Sequence, residues 1–95
     1  MRLHSSIIQF IKEAIGDKIP EAKVYLFGSR NQDDANGGDI DLLILTPYLV
    51  DKKLFRTIRI EFYKKFGWQK IDLVNLTYDD QSVFRQLISA NLAEL

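Results

Sequence analysis

Apolar residues recur at helical spacing from the start of the chain. Ile7, Ile8, Ile11, Ala14 and Ile15 fall on one stripe, with Ser5 or Ser6 placed as a cap and Gly16 where a helix would stop. The pattern then changes. Lys23-Val24-Tyr25-Leu26-Phe27 is rich in β-formers and runs directly into Gly28-Ser29, and Asn31 to Gly38 gathers Asn, Asp and Gly. This predicts a strand, a tight turn and a polar loop. Asp39-Ile40-Asp41-Leu42-Leu43-Ile44-Leu45 is a second strand, closed by Thr46-Pro47, and its almost continuous apolar second half predicts a central position with both faces buried.

Asp51 can cap a second helix whose apolar stripe is Leu54, Phe55, Ile58, Phe62 and Phe66, ended by Gly67. Lys70 to Leu76 is a third strand. Asp79 or Asp80 can cap a last helix carrying Val83, Phe84, Leu87, Ile88, Leu92 and Leu95. The expected architecture is an α/β (α+β) domain: a small mixed β-sheet of three to four strands packed with helices. With no repeat, linker or low-complexity segment, residues 1–95 are expected to form a single domain.

Composition narrows the functions open to such a domain. Ninety-five residues, 46% of them hydrophobic, suffice for one core but not for a deep, enclosed substrate cavity, so a large substrate would be met at the surface. Thirteen basic and thirteen acidic residues cancel, so overall charge draws the chain neither to nucleic acid nor to an anionic membrane. The absence of cysteine excludes disulfides and thiolate metal sites. The start Met1-Arg2-Leu3-His4-Ser5-Ser6 lacks the apolar stretch of a signal peptide, and the longest apolar run is only Leu42 to Leu45. A cytoplasmic protein without membrane contact is the expectation.

The chemistry concentrates on the acids of the second and third strands. Side chains alternate along a strand, so Asp39 and Asp41 share a face, with Cα atoms roughly 6 to 7 Å apart. They stand where the strand enters the core, since Leu43 and Leu45 follow on the same face. Two carboxylates so placed can hold a divalent cation through oxygen ligands. Asp72 would join them if the third strand lies beside the second. An Asp-x-Asp pair alone is more often two solvated carboxylates at a strand entry, and a Gly-Ser turn alone is more often a strand exit. Their combination points to a nucleotide site, because Gly28 lets backbone N–H groups approach a phosphate and Ser29 adds a hydroxyl donor.

Gly28-Ser29-Arg30, a polar gap, and Asp39-Ile40-Asp41 on an apolar strand resemble the signature of polymerase-β-like nucleotidyltransferases. In its small size and over nearly all its length the chain looks like a minimal nucleotidyltransferase (MNT) domain, the antitoxin half of HEPN/MNT toxin–antitoxin pairs. The resemblance implies the polymerase-β-like nucleotidyltransferase fold, with Asp39, Asp41 and Asp72 as catalytic residues and metal ligands. Gly28, Ser29 and Arg30 would be the nucleotide-binding residues, with ATP as substrate and two Mg²⁺ ions as cofactor. The implied reaction moves AMP to a hydroxyl acceptor, a tyrosine of a cognate HEPN toxin, whose RNase activity it blocks. Asp72 is also a candidate acceptor of the nucleophile's proton. The nine-residue gap between Ser29 and Asp39 is near the short end for the family, and no catalytic position is replaced.

Other features fit plainer roles. Lys52, Lys53, Arg56, Arg59, Lys64 and Lys65 make the second helix basic, which reads first as a solvated face and second as a surface for RNA, triphosphate or an acidic partner. His4 has no partner at ligand spacing, and Trp68, Tyr48 and Tyr63 read as core or rim aromatics. Two rival functions stand beside the enzyme: a catalytically silent antitoxin that neutralises its partner by binding, and a nucleotide- or RNA-binding module. Intact Ser29 and acids count against the first, neutral net charge against the second.

Overall fold

The computed structural model of the chain describes residues 4–27, 40–67, 69–89 and 92–95. Helix α1, Ser5–Lys18, buries Ile7, Ile11 and Ile15. Its N-cap is His4, which makes no side-chain capping bond. It also runs through Gly16, whose Cα faces open space, and stops two residues later. The physical stop is Pro20, because a residue preceding proline is disfavoured in helical conformation and Ile19 takes φ −137° and ψ 81°. The apolar spacing predicted the helix correctly, whereas the glycine only weakens it locally.

Strand β1, Lys23–Phe27, pairs antiparallel with β2, Ile40–Thr46. Helix α2, Lys52–Lys65, crosses over from β2 to β3, Ile71–Thr77, and the two strands are parallel, as a helical crossover requires. Asp51 caps α2 as expected, its Oδ1 accepting from the Lys53 amide at 2.9 Å. The last helix, α3, is short: Val83–Ile88, with Ser82 as N-cap in place of Asp79 or Asp80. The two acids shape the preceding turn instead, Asp79 accepting from the Thr77 hydroxyl and Asp80 from the Ser82 amide. The chain then forms β4, Ala93–Glu94, which pairs with β1 and takes Leu95 out of the predicted helix.

The sheet order is β3-β2-β1-β4, a four-stranded mixed sheet with β2 central, within the three to four strands expected. One face carries Val24 and Leu26 from β1 and Ile40, Leu42 and Ile44 from β2. These pack against α1 and α2 around Phe62, which is fully buried and meets the Phe66 ring at 5.0 Å and Phe10 at 5.8 Å. Leu43 and Leu45 point to the opposite face and are buried there, so β2 is covered on both sides. On that second face α3 leans on β1, with Phe84 edge-on to Phe27 at 6.1 Å. No helix among the described residues is long and apolar enough to cross a membrane.

Candidate nucleotidyl-transfer site

The sheet register decides which acids meet. β2 and β3 pair as Asp41↔Asp72, and β1 and β2 pair as Phe27↔Asp41, so Phe27, Asp41 and Asp72 form one row across three strands. Paired residues point to the same side of a sheet, and this side is the one opposite α1 and α2. Neighbouring strands lie about 4.8 Å apart, which sets the backbone separation of the two acids. Asp41 is half-buried and Asp72 exposed. Each is the second residue of its strand, so both stand at the end where parallel β2 and β3 enter the sheet and where β1 leaves it. Next along the face lie Tyr25, Leu43 and Val74, the apolar floor on which the acids rest.

The condition placed on Asp72 by the sequence is therefore met: its strand lies beside that of Asp41, in parallel and in exact side-by-side register. Gly28, Ser29, Arg30 and Asp39 lie outside the described residues, as does Trp68. The described chain does end one stretch at Phe27, the partner of Asp41, and begin the next at Ile40, the first residue of the acid-bearing strand.

Among the described residues no group of three or more His, Cys, Asp or Glu gathers to hold a metal. The donor set that is present still suits magnesium. Two carboxylates in register on adjacent strands offer hard oxygen donors, and like charges directly opposed across a ladder destabilise the sheet unless a cation lies between them. Asp41 and Asp72 are thus the described residues able to ligate such an ion.

Asn75 holds this register and was not picked out from the sequence. Its Nδ2 donates to the Ile44 carbonyl at 2.9 Å and to Thr46 Oγ1 at 3.1 Å, while its Oδ1 accepts from the Val50 amide at 2.9 Å. One side chain thereby ties β3 to the far end of β2 and to the connection into α2. The signal available was a lone amide within the apolar run Leu73-Val74-Asn75-Leu76. A polar group at a partly buried strand position needs partners, and here it has four, the last a longer bond from Nδ2 to the Leu76 carbonyl at 3.4 Å.

Comparison with known proteins bears on what this row of residues does. Among solved structures, a chain of the Shewanella oneidensis complex of a tri-AMPylated HEPN toxin with MNT antitoxin is similar at a TM-score of 0.70 and 22% identity. The match covers 97% of this chain and 71% of that one. A toxin–antitoxin structure with AMP-PNP gives a TM-score of 0.71 at 24% identity over 90% of this chain and 69% of that one. An MntA–HepT toxin–antitoxin structure gives 0.69 at 21% over 96% and 70%. At such identities the likeness is one of fold. No curated protein sequence matches the chain. The nucleotidyltransferase domain family, in contrast, matches residues 8–91, from α1 through α3 and past it. The span takes in both aspartate-bearing strands and the crossover between them, and the chain belongs to the nucleotidyltransferase domain family.

Proposed function

We propose that this domain transfers AMP from ATP to a protein hydroxyl, a tyrosine of a HEPN-type toxin, and thereby acts as an antitoxin. The observation that carries the reading is the register of Asp41 with Asp72 on one face of the sheet in a nucleotidyltransferase domain. It is supported by the solved structures of the same fold, one holding a tri-AMPylated toxin and another AMP-PNP. A chain of 95 residues leaves little room for walls around a small second substrate, which suits a macromolecular acceptor.

In this reading Gly28, Ser29 and Arg30 bind the β- and γ-phosphates and orient the leaving pyrophosphate. Asp39, Asp41 and Asp72 would hold magnesium, which when bound neutralises charge on the phosphates and lowers the pKa of the acceptor hydroxyl. The acceptor oxygen forms a bond to the α-phosphorus as the bond to the bridging oxygen of pyrophosphate breaks. Asp72, exposed at the rim of the row, receives the hydroxyl proton. Asp41, half-buried, stands on the inner strand β2. The protein's contribution is chiefly alignment of these groups before reaction.

Isothermal titration with ATP and magnesium tests the first requirement. Saturable, magnesium-dependent binding that Asp41→Asn weakens is expected. Binding indifferent to magnesium and to Asp41→Asn would remove the acid pair from the site.

A further inference from the structure

A second concave site lies on the opposite side of the molecule from the acids, where α2 overhangs β3. It is a cavity of about 420 Å³ with Val50, Phe55 and Leu73 as apolar lining and Lys52, Arg56 and Arg59 as charged lining. Leu49, 66% exposed, carries the apolar surface out to the rim. The volume is within the ~300 to 1,000 Å³ of ordinary ligand sites. None of these three cations forms an ion pair or a cation–π contact with another described residue. Lys65, on the same helix, does stack on Phe10 and Phe66.

Among the described residues no strand pairs with the outer side of β3, beside this cavity. β3 is the last strand of the sheet among the described residues. The Lys70 carbonyl accepts from Ile40 and the Tyr78 amide donates to Thr46, so the even-numbered residues of β3 turn their backbone groups toward β2. The odd-numbered residues therefore turn theirs outward. The carbonyl of Ile71 accepts from the Tyr63 hydroxyl at 3.3 Å, while the outward amides and carbonyls of Leu73 and Asn75 are met by no other described residue. The same two residues have side chains lining the cavity, and that of Asn75 is held by its hydrogen bonds to Ile44, Thr46, Val50 and Leu76.

We infer that this edge and cavity form a docking site for an extended, acidic segment of a partner protein. The segment adds as a strand to β3, places an apolar side chain against Phe55 and Leu73, and sets carboxylates against Lys52, Arg56 and Arg59. Charge complementarity and the open backbone row together favour a peptide. A nucleic-acid strand would use the cations but neither the apolar lining nor the strand edge. The site shares no residue with the acid pair, so the inference stands apart from the proposed reaction.

Fluorescence anisotropy with the full chain and a short labelled peptide whose every second residue is glutamate, leucine and glutamate in turn, with threonine between them so that the acids and the apolar side chain share one face, tests this with no nucleotide present. The expected result is saturable binding that Arg56→Ala/Arg59→Ala weakens by about tenfold or more, while Asp41→Asn leaves it unchanged. Backbone N-methylation of the peptide on one set of alternate residues should abolish binding, and on the other set should spare it. Because that comparison uses the unaltered protein, it does not depend on how the arginine variant folds. Equal binding of an all-glutamate peptide, equal tolerance of both methylation patterns, or tighter arginine-dependent binding of an oligouridine would overturn the inference, as would no binding at millimolar peptide.

Discussion

Asn75→Ala is the perturbation whose cost follows most directly from the geometry. The side chain donates to Ile44 and Thr46 and accepts from Val50, all at 2.9 to 3.1 Å. Each neutral hydrogen bond contributes about 1 kcal/mol net, and a buried group left without its partner costs about 1 to 3 kcal/mol. The Asn75 side chain is only partly buried, so water can recover part of this, and a total loss of about 2 to 3 kcal/mol is expected. A domain of this size has roughly 5 to 14 kcal/mol of stability in all. With a urea slope of about 1 kcal/mol per molar for a small domain, the midpoint should fall by about 2 to 3 M at unchanged slope. Asn75→Asp keeps the acceptor for Val50 but sets a carboxylate against the Ile44 carbonyl, so it should be at least as harmful as alanine. A midpoint change under about 0.5 M for alanine, or a neutral aspartate, would refute the assignment of register control to this residue. The consequence for function is direct. A slip of one residue between β2 and β3 would turn Asp72 to the opposite face from Asp41.

Two further outcomes follow from other parts of the molecule. Asp72→Asn removes a like-charge neighbour of Asp41; for an exposed pair the gain is about 0.2 to 0.5 kcal/mol, or roughly 1 to 4 °C in melting temperature without magnesium. Magnesium should raise the melting temperature of the wild type but not of this variant, and a fall in stability for Asp72→Asn in metal-free buffer would contradict the pairing. Asp80 has its pKa held below the ordinary 3.8 by hydrogen bonds from the Ser82 side chain and amide. A depressed carboxylate stabilises the fold above its unfolded pKa and ceases to do so as pH falls through the folded value. Carboxyl NMR should therefore place the Asp80 midpoint below 3.8, with the turn before α3 loosening only under more acid conditions; a midpoint above 3.8 would sink the assignment.

What the sequence disclosed and what it hid divide along physical lines. Periodicity identified α1, α2 and β1 because each buries one regular face, and β2 because it buries both; β3, with only Ile71 buried, was legible from its β-forming residues instead. The parallel pairing that brings Asp72 to Asp41 could only be stated as a condition, since register depends on contacts far apart in the chain, such as Asn75 to Val50. Leu92 and Leu95 sit at helical spacing from Phe84 and Ile88, a pattern that predicts a longer last helix than the one that forms. The helix has no buried residue to sustain it, and Val83 and Leu87 are 71% and 72% exposed. Leu95 instead follows an edge strand, with its amide bonded to the Val24 carbonyl at 3.0 Å. The place of β3 at the end of the sheet among the described residues was likewise invisible, because a strand's position is not written in its own residues.

The proposed reaction is nucleotidyl transfer to a protein at the aspartate row. Incubation with α-labelled ATP and magnesium, with and without a HEPN-type partner, should leave label on the partner with the wild-type domain and none with Asp41→Asn. Label retained on the partner at equal yield with Asp41→Asn, or none on it with the wild type, would contradict the account.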